Sequence, residues 1–186
     1  NTDGIGFFRS LPPAFSIKGK TMVLLGAGGA ALAIIAQAIH LGVKRILVFV
    51  REERLVHYRS IVQLIEDGFD FLIELYAIEK DEEVQNSFNQ ADIILNATGV
   101  GMDGESLPIS ESIQFPKEAI IADMIYFPAE TPFLKLGRQQ GNQTLNGLGM
   151  LFYQAEAAFE LMTGKSFPRE AVWEALITEY HQFVCD

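Results

Sequence analysis

Thr21-Met22-Val23-Leu24-Leu25-Gly26-Ala27-Gly28-Gly29-Ala30-Ala31 decides the reading of this chain. An apolar run passes through a turn made almost without side chains into the helix-forming run Ala31 to Leu41. A short buried strand, a tight turn and the open N-terminus of a helix make a seat for a pyrophosphate, because the unpaired amides and the positive end of the helix dipole attract an anion. Gly26 allows the turn, Gly28 lets the backbone approach the phosphates, and Ala31, closing Gly-x-Gly-x-x-Ala, packs the helix closely on the strand. Similar turns also arise for packing alone, so the stretch needs support from the rest of the chain.

Working outward, Gly42 ends that helix and Arg45-Ile46-Leu47-Val48-Phe49-Val50 supplies a second strand, apolar on both faces as a central parallel strand is. Arg51-Glu52-Glu53-Arg54 follows at once, where a dinucleotide fold reads the adenosine ribose about 20 residues beyond the glycines. A carboxylate there accepts hydrogen bonds from free ribose hydroxyls, whereas Arg pairs with a 2'-phosphate. This sequence offers both, and the same residues equally fit the exposed first turn of a helix running to about Asp67.

Further along, Phe71 to Tyr76 reads as a third strand, Glu82 to Asn89 as a short helix and Ala91 to Asn96 as a fourth strand ending in the polar loop Ala97 to Met102. Such loops lie at the carboxyl ends of parallel strands, which makes Asn96 and Thr98 site candidates or turn formers. Ala119 to Tyr126 is the fifth strand, Thr131-Pro132 starts a helix, and Gly141 to Leu145 suffices for a sixth, edge strand. A long helix follows from about Met150 to Met162, ended by Gly164, and a last one carries Val172, Leu176, Ile177 and Tyr180 as its apolar face. Upstream, Ile5, Phe8 and Leu11 recur at helical spacing, and Asp3 stands where an N-cap would. Strands alternating with helices imply an α/β, Rossmann-type doubly wound parallel sheet of about six strands with helices on both faces, spanning 1–186.

Composition narrows the partners. With 186 residues and 49% hydrophobic content the chain can bury a full core. Its net charge of -10 argues against a nucleic-acid surface, which needs clustered Lys and Arg. The apolar stretch Thr21 to Ile39 is broken by glycines and Gln37, so a buried strand and helix explain it without a membrane. Cys185 is the only cysteine, which fits a reducing, cytoplasmic setting. No metal site is read, and His40 and His57 stand in no motif.

In this order the motifs resemble the cofactor-binding domain of the shikimate dehydrogenase family, most closely its quinate/shikimate dehydrogenase branch. The carriers are Asn1-Thr2-Asp3-Gly4, Gly26 to Ala30, Asn96 to Met102, Asp123-Met124-Ile125-Tyr126 and Gly147-Leu148-Gly149-Met150-Leu151-Phe152-Tyr153-Gln154. The resemblance covers nearly the whole chain, and Thr163 to Pro168 also looks like the quinate/shikimate branch. It implies reversible hydride transfer between NAD or NADP and a ring carboxylic acid, shikimate or quinate, in aromatic amino acid biosynthesis or quinate metabolism. It places the catalytic, substrate-contacting Asp at Asp3, in preference to a plain cap. The paired Lys belongs to an N-terminal substrate-binding domain that this chain is expected to lack, so the chain alone is expected to bind dinucleotide but turn over poorly.

By the same resemblance Ala27, Gly28, Gly29 and Ala30 hold the pyrophosphate, and Arg51, Glu52 and Glu53 face the adenosine. Gly99, Met124, Tyr126 and Gly147 lie along the nicotinamide, and Gln154 hydrogen-bonds the substrate hydroxyls. The sequence leaves the oligomeric state open, with a homodimer among the alternatives. Two departures stand out. Members specific for NADP usually have Asn-Arg-Thr after the second strand, whereas this chain has Val50-Arg51-Glu52, which favours free ribose hydroxyls. Asn146 replaces the Asp that many members carry before Gly-Leu-Gly-Met. A rival reading is a non-catalytic dinucleotide- or metabolite-sensing module of the same fold. Another is a dehydrogenase of amino-acid-dehydrogenase-like architecture, against which Asp3 and Gln154 argue.

Overall fold

The computed structural model describes the backbone of residues 1–185 and the side chains of residues 1–180. Six strands, β1 (Thr21–Leu25), β2 (Arg45–Val50), β3 (Ile73–Ala77), β4 (Ile93–Asn96), β5 (Ile120–Asp123) and β6 (Gln143–Leu145), make one sheet in the order β3-β2-β1-β4-β5-β6. Every pairing is parallel, as the doubly wound expectation requires. Around it stand α1 (Asp3–Ser10), α2 (Gly29–His40), α3 (Leu55–Phe69), α4 (Asp81–Phe88), α5 (Pro132–Gln139), α6 (Leu148–Thr163) and α7 (Arg169–Cys185).

The period of two along each strand divides the core into two layers. Met22, Leu24, Ile46 and Val48 point to one face and join Ala31, Ile34 and Ile35 of α2, Val62 of α3 and Met150 of α6. Val23, Leu25, Leu47 and Phe49 point to the other and meet Val84 and Phe88 of α4 and Phe133 and Leu134 of α5. Each side chain so buried contributes about 1.5–3 kcal/mol, and both faces of the central strands collect it. Between β4 and β5 the crossover carries no helix; Ile109, Ile113 and Phe115 cover the sheet there instead.

Several boundaries move for identifiable reasons. The third strand begins at Ile73 rather than Phe71, because α3 runs to Phe69 and closes on Asp70 in the left-handed conformation, φ 50°. Glu66 then accepts the Ile73 amide at 2.7 Å, which sets where the ladder starts. β5 stops at Asp123, short of Tyr126, since the Asp123 carboxylate takes the Ile125 amide at 2.9 Å and lifts the chain out of the sheet. The fourth strand starts at Ile93, two residues after Ala91. At α2 the helix begins at Gly29, inside the glycine turn, and α6 begins at Leu148, whose amide is taken by Asn146 Oδ1 at 3.2 Å.

α1 is wedged between α2 and α6 on glycines. A Cβ on Gly4 would lie 2.5 Å from the Ala33 carbonyl oxygen of α2, and one on Gly6 would lie 2.7 Å from the backbone nitrogen of Gln154 in α6. Helices this close leave no room for side chains, so the position of α1 is fixed by its sequence. Buried Glu156 of α6 reinforces the joint by pairing with Arg9 of α1 at 3.0 Å and Arg169 of α7 at 2.5 Å.

Candidate functional site

β1 and β4 are neighbours in the sheet but far apart in sequence, so the connections from their carboxyl ends diverge to opposite sides and leave a crevice. An open cleft of about 690 Å³ occupies it, with Gly26 to Gly28 on one wall and Ala97 to Val100 on another. Gly26 makes the turn at φ 95°, and a Cβ there would stand 2.8 Å from Thr98 Cγ2, so the two walls meet at this residue. Beyond it the surface opens: a Cβ on Gly28 or Gly29 would meet nothing within 4 Å. No side chain caps α2, and the first-turn amides of a helix have no partner within it. Ala31 is buried beneath them, holding the helix end against the sheet.

The wall opposite the glycines is built by a buried polar network. Asn96 Nδ2 donates to the Val100 carbonyl and to Asp123 Oδ2, both at 3.0 Å, and its Oδ1 accepts from the Thr98 amide and hydroxyl at 3.1 and 2.6 Å. Thr131 Oγ1 donates to Asp123 Oδ2 at 2.7 Å and caps α5 through the Leu134 amide. Burial raises the Asp123 carboxyl above its ordinary range, outweighing its hydrogen bonds from Ile125, Asn96 and Thr131. Asn96 is therefore a scaffold for the loop rather than a ligand-facing group, and the turn-forming reading of it is the one the structure supports.

At the far end of the cleft, after β2, Arg51 lines the wall and pairs with Glu53 at 3.1 Å, both well exposed. Glu52 and Glu53 are not among the cleft walls. Arg54, Tyr58 and Glu79, polar side chains that the motif reading did not assign to the cofactor, also line the cleft. The Arg54 guanidinium lies 5.7 Å from the Tyr58 ring centre, a cation over an aromatic face. The four-residue spacing of Arg54 and Tyr58 on one helical face was the available signal. For Glu79 no local signal exists, because the sheet brings it there across 27 residues from Glu52.

The remaining expected residues fall into two further groups outside the cleft walls. Met124 and Gly147 adjoin beyond the carboxyl end of β5: the Gly147 amide donates to the Ile125 carbonyl at 2.9 Å, and a Cβ on Gly147 would lie 2.0 Å from the Met124 carbonyl oxygen. The side chain of Tyr126 is exposed there, and its carbonyl accepts from the Tyr180 hydroxyl at 2.5 Å. Asp3 and Gln154 ride on the α1–α6 contact, Asp3 one turn from Gly6. Asp3 is the first residue of α1 and Thr2 its N-cap, so the capping role falls away. Among the described residues nothing pairs with its carboxylate. His40 and His57 are exposed and do not line the cleft, although the His57 ring lies 5.1 Å from that of Tyr58, which does.

A parallel sheet in this order, with a glycine turn open at the switch between β1 and β4, defines a Rossmann-type α/β protein. Comparison with known proteins narrows the class. The model of the shikimate 5'-dehydrogenase C-terminal domain matches residues 147–177. A shikimate dehydrogenase (NADP(+)) of Streptococcus gordonii is 54% identical over 177 residues, covering 95% of this chain and 62% of the relative. The crystal structure of shikimate 5-dehydrogenase from Listeria monocytogenes, in complex with shikimate and NAD, superposes with a TM-score of 0.85 at 40% identity, over 94% of this chain and 62% of that one. Quinate dehydrogenase from Corynebacterium glutamicum, in complex with NAD, gives 0.81 at 27% identity, over 96% and 62%. Over nearly its whole length the chain is similar to proteins of the shikimate dehydrogenase family, and it spans 62% of the length of the Streptococcus gordonii relative.

Proposed function

We propose that this chain is the cofactor-binding part of an NAD(P)-linked dehydrogenase that reversibly reduces 3-dehydroshikimate to shikimate, or 3-dehydroquinate to quinate. The observation that carries the reading is the empty space over Gly28 and Gly29, beside uncapped helix amides, at the switch point of the sheet. Ala27, Gly28, Gly29 and Ala30 would hold the pyrophosphate, and Arg51, Glu52 and Glu53 the adenosine end. Gly99, Met124, Tyr126 and Gly147 would shape the nicotinamide half. When bound, the nicotinamide gives or takes the hydride. Gln154 would orient the ring hydroxyls, and Asp3, whose carboxylate has no partner among the described residues, would assist the proton at the reacting oxygen together with a Lys from the part of the relatives that this chain does not span. That carboxylate favours an enzyme over a sensing module. The reading also places the protein in the cytoplasm as a homodimer. Exposed Val56, Leu64 and Leu72 near edge strand β3 support a self-associating face, which light scattering would test.

The direct test has two parts. Calorimetric titration of this chain with NAD+ and NADP+ examines the cradle, and absence of binding by either sinks it. In the protein at the full length of its relatives, Asp3→Ala is expected to lower turnover about a hundredfold or more while leaving dinucleotide affinity unchanged. An unchanged rate would remove Asp3 from the chemistry.

A further inference from the structure

We propose that Glu79 decides which dinucleotide the cleft accepts, by holding a carboxylate where a 2'-phosphate would otherwise sit. The inference rests on the cofactor reading of the cleft. The Glu52 amide begins a single 3-10 turn after β2, with the guanidiniums of Arg51 and Arg54 on the cleft wall beside it. A backbone amide flanked by two Arg side chains is a seat for an anion. Here that seat is already taken: both carboxylate oxygens of Glu79 accept the Glu52 amide, at 3.0 and 3.2 Å.

The arrangement is built into the sheet. Val50 and Ala77 are in register, and the Ile78 amide donates to the Val50 carbonyl at 2.9 Å, carrying the β2–β3 ladder one residue further. Glu79 is thereby delivered opposite Glu52. Arg51 is engaged by Glu53 at 3.1 Å, so one of the two guanidiniums that could meet a phosphate already has a carboxylate partner. A 2'-phosphate entering here must displace Glu79 from its amide and then lie beside that carboxylate, anion against anion. Free ribose hydroxyls meet no such repulsion and can donate to the same carboxylate.

Titration of the chain with NAD+ and NADP+ in low salt, for the wild type, Glu79→Gln and the control Glu82→Gln, tests the assignment. Glu82 is an exposed carboxylate on α4, outside the cleft walls, so its variant reports the effect of net charge alone. Glu79→Gln is expected to tighten NADP+ binding relative to NAD+ by about tenfold, the scale of one like-charge contact near a protein surface. Glu82→Gln should leave the ratio where it is, and raising the salt should shrink the Glu79 effect. Two bound cofactors with an unmoved ratio, or an equal shift from both variants, overturn the role of Glu79. No binding to any of the three proteins overturns the cofactor reading itself and this inference with it.

Discussion

Asn96 and Asp123 stand opposite each other at the carboxyl ends of β4 and β5, and the amide nitrogen of Asn96 donates to the Asp123 carboxylate at 3.0 Å, with both side chains closed off from solvent. Through this contact the loop lining the cleft and the loop leading to Met124 are tied to one buried point. Asn96→Ala removes its partners from the Thr98 amide and hydroxyl, the Val100 carbonyl and the Asp123 carboxylate together. The expected cost is roughly 3 kcal/mol, given about 1–3 kcal/mol for a polar group left unpaired in the interior. Urea denaturation measures it, and a loss below 1 kcal/mol would show that the loop holds without this residue.

Asp123 gives stability a pH dependence of defined sign. Burial raises its native carboxyl above the unfolded value, so the unfolded chain releases that proton first. Its contribution is complete below about pH 4, where both states are protonated, and is lost as pH rises through the native value. Asp123→Asn lacks the titration. The stability of the variant relative to the wild type should therefore increase from about pH 4 upward and then level off, as read by urea denaturation across the pH range. A difference that grows toward acid would contradict the assignment.

Gly26 and Gly28 differ in what they do, although they sit in one motif. Gly26 needs its side chain absent for the fold: φ is 95°, and a Cβ would press on Thr98 Cγ2 at 2.8 Å and the Ala97 carbonyl oxygen at 3.0 Å. Gly28 has φ -70°, open to any residue, and free space around it. Gly26→Ala is expected to cost about 1–3 kcal/mol. Gly28→Ala should stay within about 0.5 kcal/mol of wild type yet weaken dinucleotide binding about tenfold or more, because its methyl stands in the cradle. Thermal melts paired with calorimetry separate the two outcomes.

These contrasts explain how much the sequence could disclose. Arg45 to Val50 was legible as a central strand because both faces are buried, and the glycine turn because its chemistry is local. Tyr126 was read as strand because the run from Ala119 is apolar; only the side chain of Asp123, capturing the Ile125 amide, ends the ladder early. The adenosine end was half visible. Arg51 follows its strand directly, whereas Glu79 reaches Glu52 through the register of β2 against β3, which no short-range pattern encodes. Asp3 had the residue type of a cap, and only the helix start shows that Thr2 holds that position.

Asn146, just before α6, uses what only an amide has. Its Nδ2 donates to the Ala129 carbonyl at 3.0 Å and to the Tyr180 hydroxyl at 3.1 Å, while Oδ1 accepts the Leu148 amide at the start of α6. The Tyr180 hydroxyl in turn donates to the Tyr126 carbonyl, so α7, the α6 turn and the loop after β5 share one chain of hydrogen bonds. Burial raises the Tyr180 hydroxyl, against the Asn146 contact, which keeps it a donor. A carboxylate at 146 could serve only Leu148 without penalty: it would face the Ala129 carbonyl oxygen and draw the Tyr180 proton away from Tyr126. Asn146→Asp is thus expected to destabilise by about 1–3 kcal/mol at neutral pH. Tyr180→Phe alone should cost about 0.5–1.5 kcal/mol, and the double variant less than the sum, since both act on one chain. A double-mutant cycle by urea denaturation measures the coupling, and strict additivity would show that Asn146 and Tyr180 act independently.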